Sequence, residues 1–426
     1  MTFFATCILI LLYFIRPFEI IHGLQGIPIL FIVGVLAGIF LIIDVSKGRA
    51  KLFDNGTDKM MLGFYIAIGL SHCSHLYFGG AIQSMRDFFP VFIGYFLIAH
   101  SINSEKKLKI LLAILILCAA FLACEGALEA KNGASYFGVK PFAQEVGTNE
   151  DGSPKLDYRI KWVGPFEDPN DLAMVFVAVI PILLDYLLGR KYILPTILLC
   201  LTVYGLYLTD SRGGIVALLA AICAYFIFRY RSRKGLLIFL VLAVLLLQFG
   251  PSRMESISAS EESAFGRIEA WYYGIQMFMS APLMGVGMGI FTDNYELTAH
   301  NSFVLVFSEL GFLGAFFFVG MFYFPLSSVF KTHFQRNAQQ EVQVILPASY
   351  NAILSGLVGT MVSMFFLSRS YVLMPYLLVA LPMSILLFSP ALNPNVSKGG
   401  YSDYKKIFII TATSIIAVYL LVKVLL

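Results

Sequence analysis

Long apolar runs separated by short polar breaks repeat from one end of the chain to the other. They fall at 3–15, 25–43, 60–79, 88–100, 108–127, 171–188, 191–208, 213–228, 234–249, 302–326, 344–366, 371–388 and 407–426. Most have the length that carries a helix across a hydrocarbon layer, so the pattern predicts about thirteen transmembrane helices. The short first run and the proline-containing run at 371–388 are the least secure, and without one of them the count is twelve. The expected fold class is an all-α polytopic membrane protein: residues 1–426 form a single integral membrane domain, with larger connections at about 128–170 and 250–300. No Lys or Arg precedes the first run and no small-residue cleavage site follows it, so it is expected to stay as an uncleaved span.

Composition strengthens this picture. The chain is 58% hydrophobic and 13% charged with a mean hydropathy of +0.80, whereas soluble domains carry about a quarter charged residues. That excludes a soluble enzyme, and no nucleic-acid partner is expected. Cys7, Cys73, Cys118, Cys124, Cys200 and Cys223 are scattered through apolar runs without a CxxC pair, which suggests small core residues. Counting Lys and Arg in alternate short loops places 18 of the 30 on one face, which by the positive-inside rule is cytoplasmic. Both large connections then lie outside, and they mix Trp, Phe, Pro and Gly with charge as ordered loops or short amphipathic helices do.

Charge type matters more than charge number. The external basic residues include seven arginines, Arg16, Arg86, Arg159, Arg212, Arg253, Arg267 and Arg369, while the cytoplasmic set is 12 Lys to 6 Arg. Arginine offers a planar fork for phosphate, and near hydrocarbon it costs about 2.5 to 3.5 kcal/mol unless it is paired, snorkels or serves a function. Arg16, Arg253 and Arg369 fit interfacial anchors or ion-pair partners, and Arg86 stands between the two readings. Arg212 precedes Gly213-Gly214 at the start of a span, where glycines would admit a ligand to the helix N-terminus. Arg267 lies in Phe265-Gly266-Arg267-Ile268-Glu269-Ala270-Trp271, on an expected amphipathic helix. The glycine-rich stretch 281–291 after it follows no strand, so it reads as a re-entrant turn lining a cavity.

His300 opens the next span through Asn301-Ser302, a helix start. A His at an interface can take a proton from an attacking hydroxyl, although capping is the plainer role for this position. Glu309 is nine residues on, about 13 Å along a continuous helix, so it is expected to be a buried counter-charge for an arginine. His72 and His75 are spaced for a metal but lack further ligands, which favours a polar helix face, and no metal or other cofactor is expected. In the first loop Arg159 and Lys161 could meet phosphate while Trp162 and Phe166 stack on sugar rings; packing of the aromatics on the membrane surface is the equal alternative.

Taken together, Thr209-Asp210-Ser211-Arg212-Gly213-Gly214, Gly266-Arg267 with Pro282 and Gly285-Val286-Gly287, His300-Asn301 with Glu309, Gly311 and Gly314, and Gly164, Pro169-Asn170 and Ala173 resemble the O-antigen ligase and O-antigen polymerase superfamily of bacterial membrane glycosyltransferases. The resemblance covers mainly residues 159–320. The ligase pattern of a His and a Gly separated by ten residues fits His300 and Gly311, while Val216 stands where that pattern has Leu after Arg212. The resemblance implies a GT-C-like helical fold in the inner membrane, a metal-independent and inverting transfer at the periplasmic face, and a donor glycan on undecaprenyl diphosphate. The acceptor would be lipid A core or a second lipid-linked glycan, the bilayer is itself a partner, and a chain-length regulator is a further partner to consider. Catalytic roles then fall to Arg212, Arg267 and His300, with Arg86, Arg159, Lys161, Gly213, Gly214, Asn301 and Glu309 as diphosphate or glycan contacts. The His300–Gly311 spacing favours a ligase and two sizeable external loops favour a polymerase. A lipid-linked glycan transporter and a scaffold role for incidental arginines are the readings from other classes.

Overall fold

The computed structural model describes residues 1–148, 153–189, 192–230, 257–334, 348–389 and 398–426. Its long helices are α1 (Thr2–Ile15), α2 (Ile29–Ser46), α3 (Gly56–Cys73), α4 (Phe78–Ser101), α5 (Glu105–Asn132), α6 (Pro169–Leu188), α7 (Ile193–Leu208), α8 (Arg212–Tyr230), α9 (Ile257–Ser280), α10 (Ser302–Phe334), α11 (Ala348–Met364), α12 (Leu373–Phe388) and α13 (Tyr401–Leu425). Each expected span except 234–249, which lies outside the described residues, coincides with a helix, and α9 is the helix expected in the second large connection. The protein is all-α and polytopic: among the described residues, seven helices are long and apolar enough to cross a membrane by length and composition.

Two boundaries differ from the sequence reading. The run at 60–79 ends at Cys73, and α4 starts at Phe78, ten residues before the expected 88. Arg86 and Asp87 interrupt the apolar pattern there but not the helix, whose backbone bonds are indifferent to side-chain polarity. The first large connection also contains strands. β1 (Phe142–Thr148) and β2 (Pro154–Arg159) pair antiparallel with Phe142 opposite Arg159. An irregularity between Glu145 and Thr148 breaks the ladder, which is why no clean alternation marks them in the sequence.

Helices α6 and α12 are apolar all round and lie at the centre of the bundle, buried along almost their whole lengths. α2 is just as apolar but peripheral, with Ala37 and Leu41 its buried residues. Small residues allow the close contacts: a side chain at Gly356 would strike the Ala178 carbonyl, and one at Gly214 would strike Ala173. Of the cysteines, Cys124 and Cys200 are exposed rather than in the core.

At the end expected to be cytoplasmic, three carboxylates each bind a tyrosine hydroxyl and a cationic or basic side chain. Asp58 accepts from Tyr95 (2.8 Å) and meets His100 (2.9 Å). Asp185 accepts from Tyr225 (2.8 Å) and Arg229 (2.7 Å), and Asp403 from Tyr323 (3.0 Å) and Lys331 (2.8 Å). Each contact joins helix ends that the loop charges place on the same face.

At the other end α10 is broken. Gly311 sits at φ 63°, ψ −163°, which stops the helix within what would be its apolar run. Residues 282–287 fill the break. Val286 and Gly287 amides donate to the carbonyls of Ser308 (3.2 Å) and Glu309 (2.8 Å), and the amides of Phe312 and Leu313 donate to Pro282 (2.8 Å) and Leu283 (3.0 Å). The glycine-rich stretch is therefore re-entrant, but it plugs a helix instead of lining a cavity. His72 Nε2 lies 3.0 Å from the Met288 carbonyl and His75 Nε2 2.9 Å from that of Gly285, so the i, i+3 histidines grip this loop.

A side chain at Gly311 would come within 2.5 Å of the Leu283 backbone, whereas one at Gly289, also at positive φ, would meet nothing within 4 Å. We predict that Gly289→Ala costs about 1–2 kcal/mol of backbone strain and that Gly311→Ala costs more. Thermal midpoints in detergent check this, and equal shifts would remove the plug as a stabilising element.

Candidate active site

The candidate site forms where four segments meet at the end expected to be external. Its first element is the turn before α8. Asp210 takes a positive φ of 45°, and Ser211 caps the helix by accepting the Gly214 amide on its hydroxyl (3.0 Å). That turn puts Arg212 at the first helical position, half-buried. Ser211 Oγ in turn donates to Asn170 Oδ1 (2.6 Å).

The second element is the start of α6, where Asp168 is the N-cap and Pro169 the first residue. Asp168 Oδ1 accepts from the Asn170 amide (2.7 Å) and side chain (2.8 Å). Arg159, buried at the end of β2, donates to the Thr209 carbonyl (2.8 Å) and to Asn170 Oδ1 (3.2 Å). It thus ties the first loop to the Arg212 turn and acts as scaffold rather than as a free phosphate contact.

Helix α9 supplies the third element. Gly274 packs against Val304 and Ser308 of α10, and Trp271 Nε1 donates to the Ala299 carbonyl (3.0 Å). Arg267 is one turn before Trp271 on the same face, which brings it to His300. The fourth element is the start of α10. His300 is half-buried at φ 47°, a left-handed backbone that turns the chain into the helix. Asn301, fully buried, accepts the amides of Phe303 (2.9 Å) and Val304 (3.2 Å).

Charge completes the arrangement. Arg369 donates from Nε and a terminal nitrogen, one edge of its guanidinium, to the two carboxylate oxygens of Asp171 at 2.5 Å, so the ion-pair expectation for Arg369 holds. Among the described residues neither Arg212 nor Arg267 has an ion-pair partner, and the two guanidinium groups are close enough to perturb each other. Burial, and then the Arg212 charge, lower the Arg267 pKa, with Asp168 opposing. Burial, and then Arg267, hold His300 below its ordinary 6.5, again with Asp168 opposing. The result is two cations without an ion-pair partner among the described residues beside an imidazole that favours its neutral form, an arrangement suited to an anionic group and a proton acceptor.

Several expected contacts lie elsewhere. The space at Gly213 and Gly214 is taken by Phe366 and Ala173, so these glycines serve helix packing and not ligand approach. Lys161 sits by Glu129, which accepts its amide (3.2 Å). Trp162 is edge-on to Phe121 at 5.4 Å and Phe166 stacks on Phe14 at 5.6 Å, both buried in the core and so unable to stack on sugars. Glu309 accepts from Tyr371 (2.8 Å) and from the Phe291 amide (3.2 Å), not from an arginine. Arg86 is exposed on α4 with no hydrogen bond among the described residues, and Arg253 lies outside them. Asp168 and the Asp171–Arg369 pair were not singled out by the sequence reading. The signal for them was Asp168-Pro169-Asn170-Asp171, a cap, a first-turn proline and a second carboxylate.

Arg212, Arg267, His300 and Gly311 all fall within one stretch that can be compared with known families. Residues 197–319 match the family model Wzy_C, O-antigen ligase. That segment of the chain is thus similar to the O-antigen ligase family. A comparison with curated proteins gives no match. The O-antigen ligase segment carries the unpaired cations and the imidazole, while the scaffold residues Arg159, Asp168, Asn170, Asp171 and Arg369 lie outside it.

Because burial and the Arg267 charge hold the His300 pKa below its ordinary 6.5, we predict an acid limb of kcat/KM with its midpoint below 6.5. Arg267→Gln removes one cause of the lowering, so the residual activity of that variant should show a midpoint at higher pH. An unchanged midpoint would separate His300 from the titrating group.

Proposed function

We propose that the protein transfers a glycan from undecaprenyl diphosphate to an acceptor hydroxyl at the periplasmic face of the bacterial inner membrane, in the manner of an O-antigen ligase. The observation that carries this reading is the pair of half-buried arginines, Arg212 and Arg267, without an ion-pair partner among the described residues and beside His300, whose pKa is lowered. In a water-poor site, fixed cations aimed at developing negative charge stabilise the transition state strongly, and loss of one such donor costs about 100- to 1,000-fold.

In the proposed step the diphosphate lies between Arg212 and Arg267. The acceptor oxygen approaches the anomeric carbon from the opposite side and passes its proton to His300. A new carbon–oxygen bond forms as the bond to the diphosphate breaks, and the released electron pair stays on the phosphate oxygen that the arginines face. One displacement inverts the anomeric centre. The carboxylates near the site are engaged with Asn170 and Arg369, which supports this route over a double displacement through a carboxylate. Asp168 faces both Arg267 and His300 and would stabilise the imidazolium once it forms.

A broken helix is a transporter feature. Here the break at Gly311 is filled by the chain's own backbone, and Arg212 and Arg267 lie at the start of α8 and on α9, outside the broken helix, which supports transfer over transport.

The test is transfer from a labelled undecaprenyl-diphosphate glycan by the reconstituted protein, offered lipid A core and a second lipid-linked unit in parallel. Product on the core is the expected result, and lengthened lipid-linked chains would make the enzyme a polymerase. Arg212→Lys and Arg267→Lys should each lower kcat/KM by about 100-fold or more because an ammonium cannot replace the bidentate fork. Near-normal rates for both would remove the phosphate role.

A further inference from the structure

A cavity of about 290 Å³ lies on the side of the bundle, walled by Leu9 and Tyr13 of α1, Phe31, Gly34 and Val35 of α2, and Pro90 of α4. Phe31, Val35 and Pro90 are exposed, so the cavity is a groove open on the lateral surface, on the peripheral helix α2. Its lining is almost wholly apolar, and its external end is marked by Arg16, Pro165 and Tyr371.

That end leads to the arginine cluster. Tyr371 lines the groove and donates to Glu309 beside the break in α10, and Arg369, two residues earlier, holds Asp171. Tyr13 is within electrostatic reach of Arg16, Asp171 and Arg369. Arg16 takes a left-handed backbone at the end of α1. One of its terminal nitrogens bonds Glu19, while its Nε is buried with no hydrogen-bond partner among the described residues. An apolar channel that enters from the bilayer side and ends at a cation next to the site matches a lipid whose anionic head must reach Arg212 and Arg267.

We propose that this groove holds the head-proximal isoprene units of the polyprenyl-diphosphate donor, with Arg16 beside the diphosphate end. The proposal rests on the glycosyl-transfer reading and adds where the donor lipid enters. Flat, methyl-branched alkene units suit a rigid wall of rings and prolines, namely Tyr13, Phe31, Tyr371, Pro90 and Pro165. The volume is at the low end of the roughly 300–1,000 Å³ of ligand pockets, so it takes the start of the chain while the remainder stays in lipid.

Gly34 gives a direct test, since a side chain there meets nothing within 4 Å and can project into the groove without disturbing the bundle. In the reconstituted full-length protein, Gly34→Trp should raise KM for an undecaprenyl-diphosphate glycan at least about tenfold and leave kcat within about twofold. Such a split marks binding lost equally from ground and transition states. Ile42→Trp, on an exposed face of the same helix, should leave both constants unchanged. A donor with a diazirine on its first isoprene unit should label peptides containing Phe31–Val35 and Phe89–Ile93. Undecaprenyl diphosphate should compete for that label and phosphatidylglycerol should not. An unchanged KM in Gly34→Trp, labelling on another face, or equal competition by phosphatidylglycerol would overturn the groove and leave the transfer reading intact. Labelling here without transfer to any acceptor would overturn the transfer reading and leave the groove.

Discussion

A backbone amide or carbonyl left unpaired within a bilayer costs several kcal/mol, and the functional end of this protein is organised around meeting that demand at one place. Gly311 interrupts α10, which would orphan carbonyls on one side of the break and amides on the other. Residues 282–287 satisfy both sets, two bonds on each side. The plug fixes the loop between α9 and α10, and hence Arg267 before it and His300 after it. The spacing of His300 and Gly311 thereby acquires a physical meaning. Asn301 caps a short half-helix, Gly311 ends it, and Glu309 near its end holds Tyr371 and the Phe291 amide.

The two ends of the bundle treat charge differently. At one end Asp58, Asp185 and Asp403 each take a tyrosine and a cationic or basic partner, so that the helix ends are pinned and the buried charges compensated. At the other, Asp171 and Asn170 absorb Arg369 and Arg159, and Arg212 and Arg267 keep no counter-charge among the described residues. Holding two like charges together at the edge of hydrocarbon is unfavourable, and the rigid hydrogen-bonded frame from Asp168 through Asn170 to Ser211 is what keeps Arg212 there. Such preorganisation is what the proposed transfer from a diphosphate would require.

Much of this was legible beforehand, for identifiable reasons. Apolar runs report spans because lipid admits little else. Arg212, Arg267 and His300 stand out as candidates in the sequence because each is polar at a position that otherwise favours apolar or neutral residues. Trp162, Phe166, Gly213 and Gly214 misled because a residue type suited to a ligand is equally suited to a packed core. Which role it takes depends on whether Phe121, Phe14, Phe366 or Ala173 arrives against it. Glu309 was expected near an arginine on the premise of a continuous α10, and the break reassigned its partners.

The sequence by itself determined the spans and the chemical types between and near them, since these follow from hydrophobicity and charge read locally along the chain. Only the tertiary structure decided which arginines are engaged by other side chains and which keep no ion-pair partner among the described residues. It also decided that α6 and α12 are central and α2 peripheral, and that residues far apart in the chain plug one helix. Those outcomes depend on contacts between segments separated by tens to hundreds of residues, and apolar helices of equal hydropathy carry no local mark of which neighbour they will find.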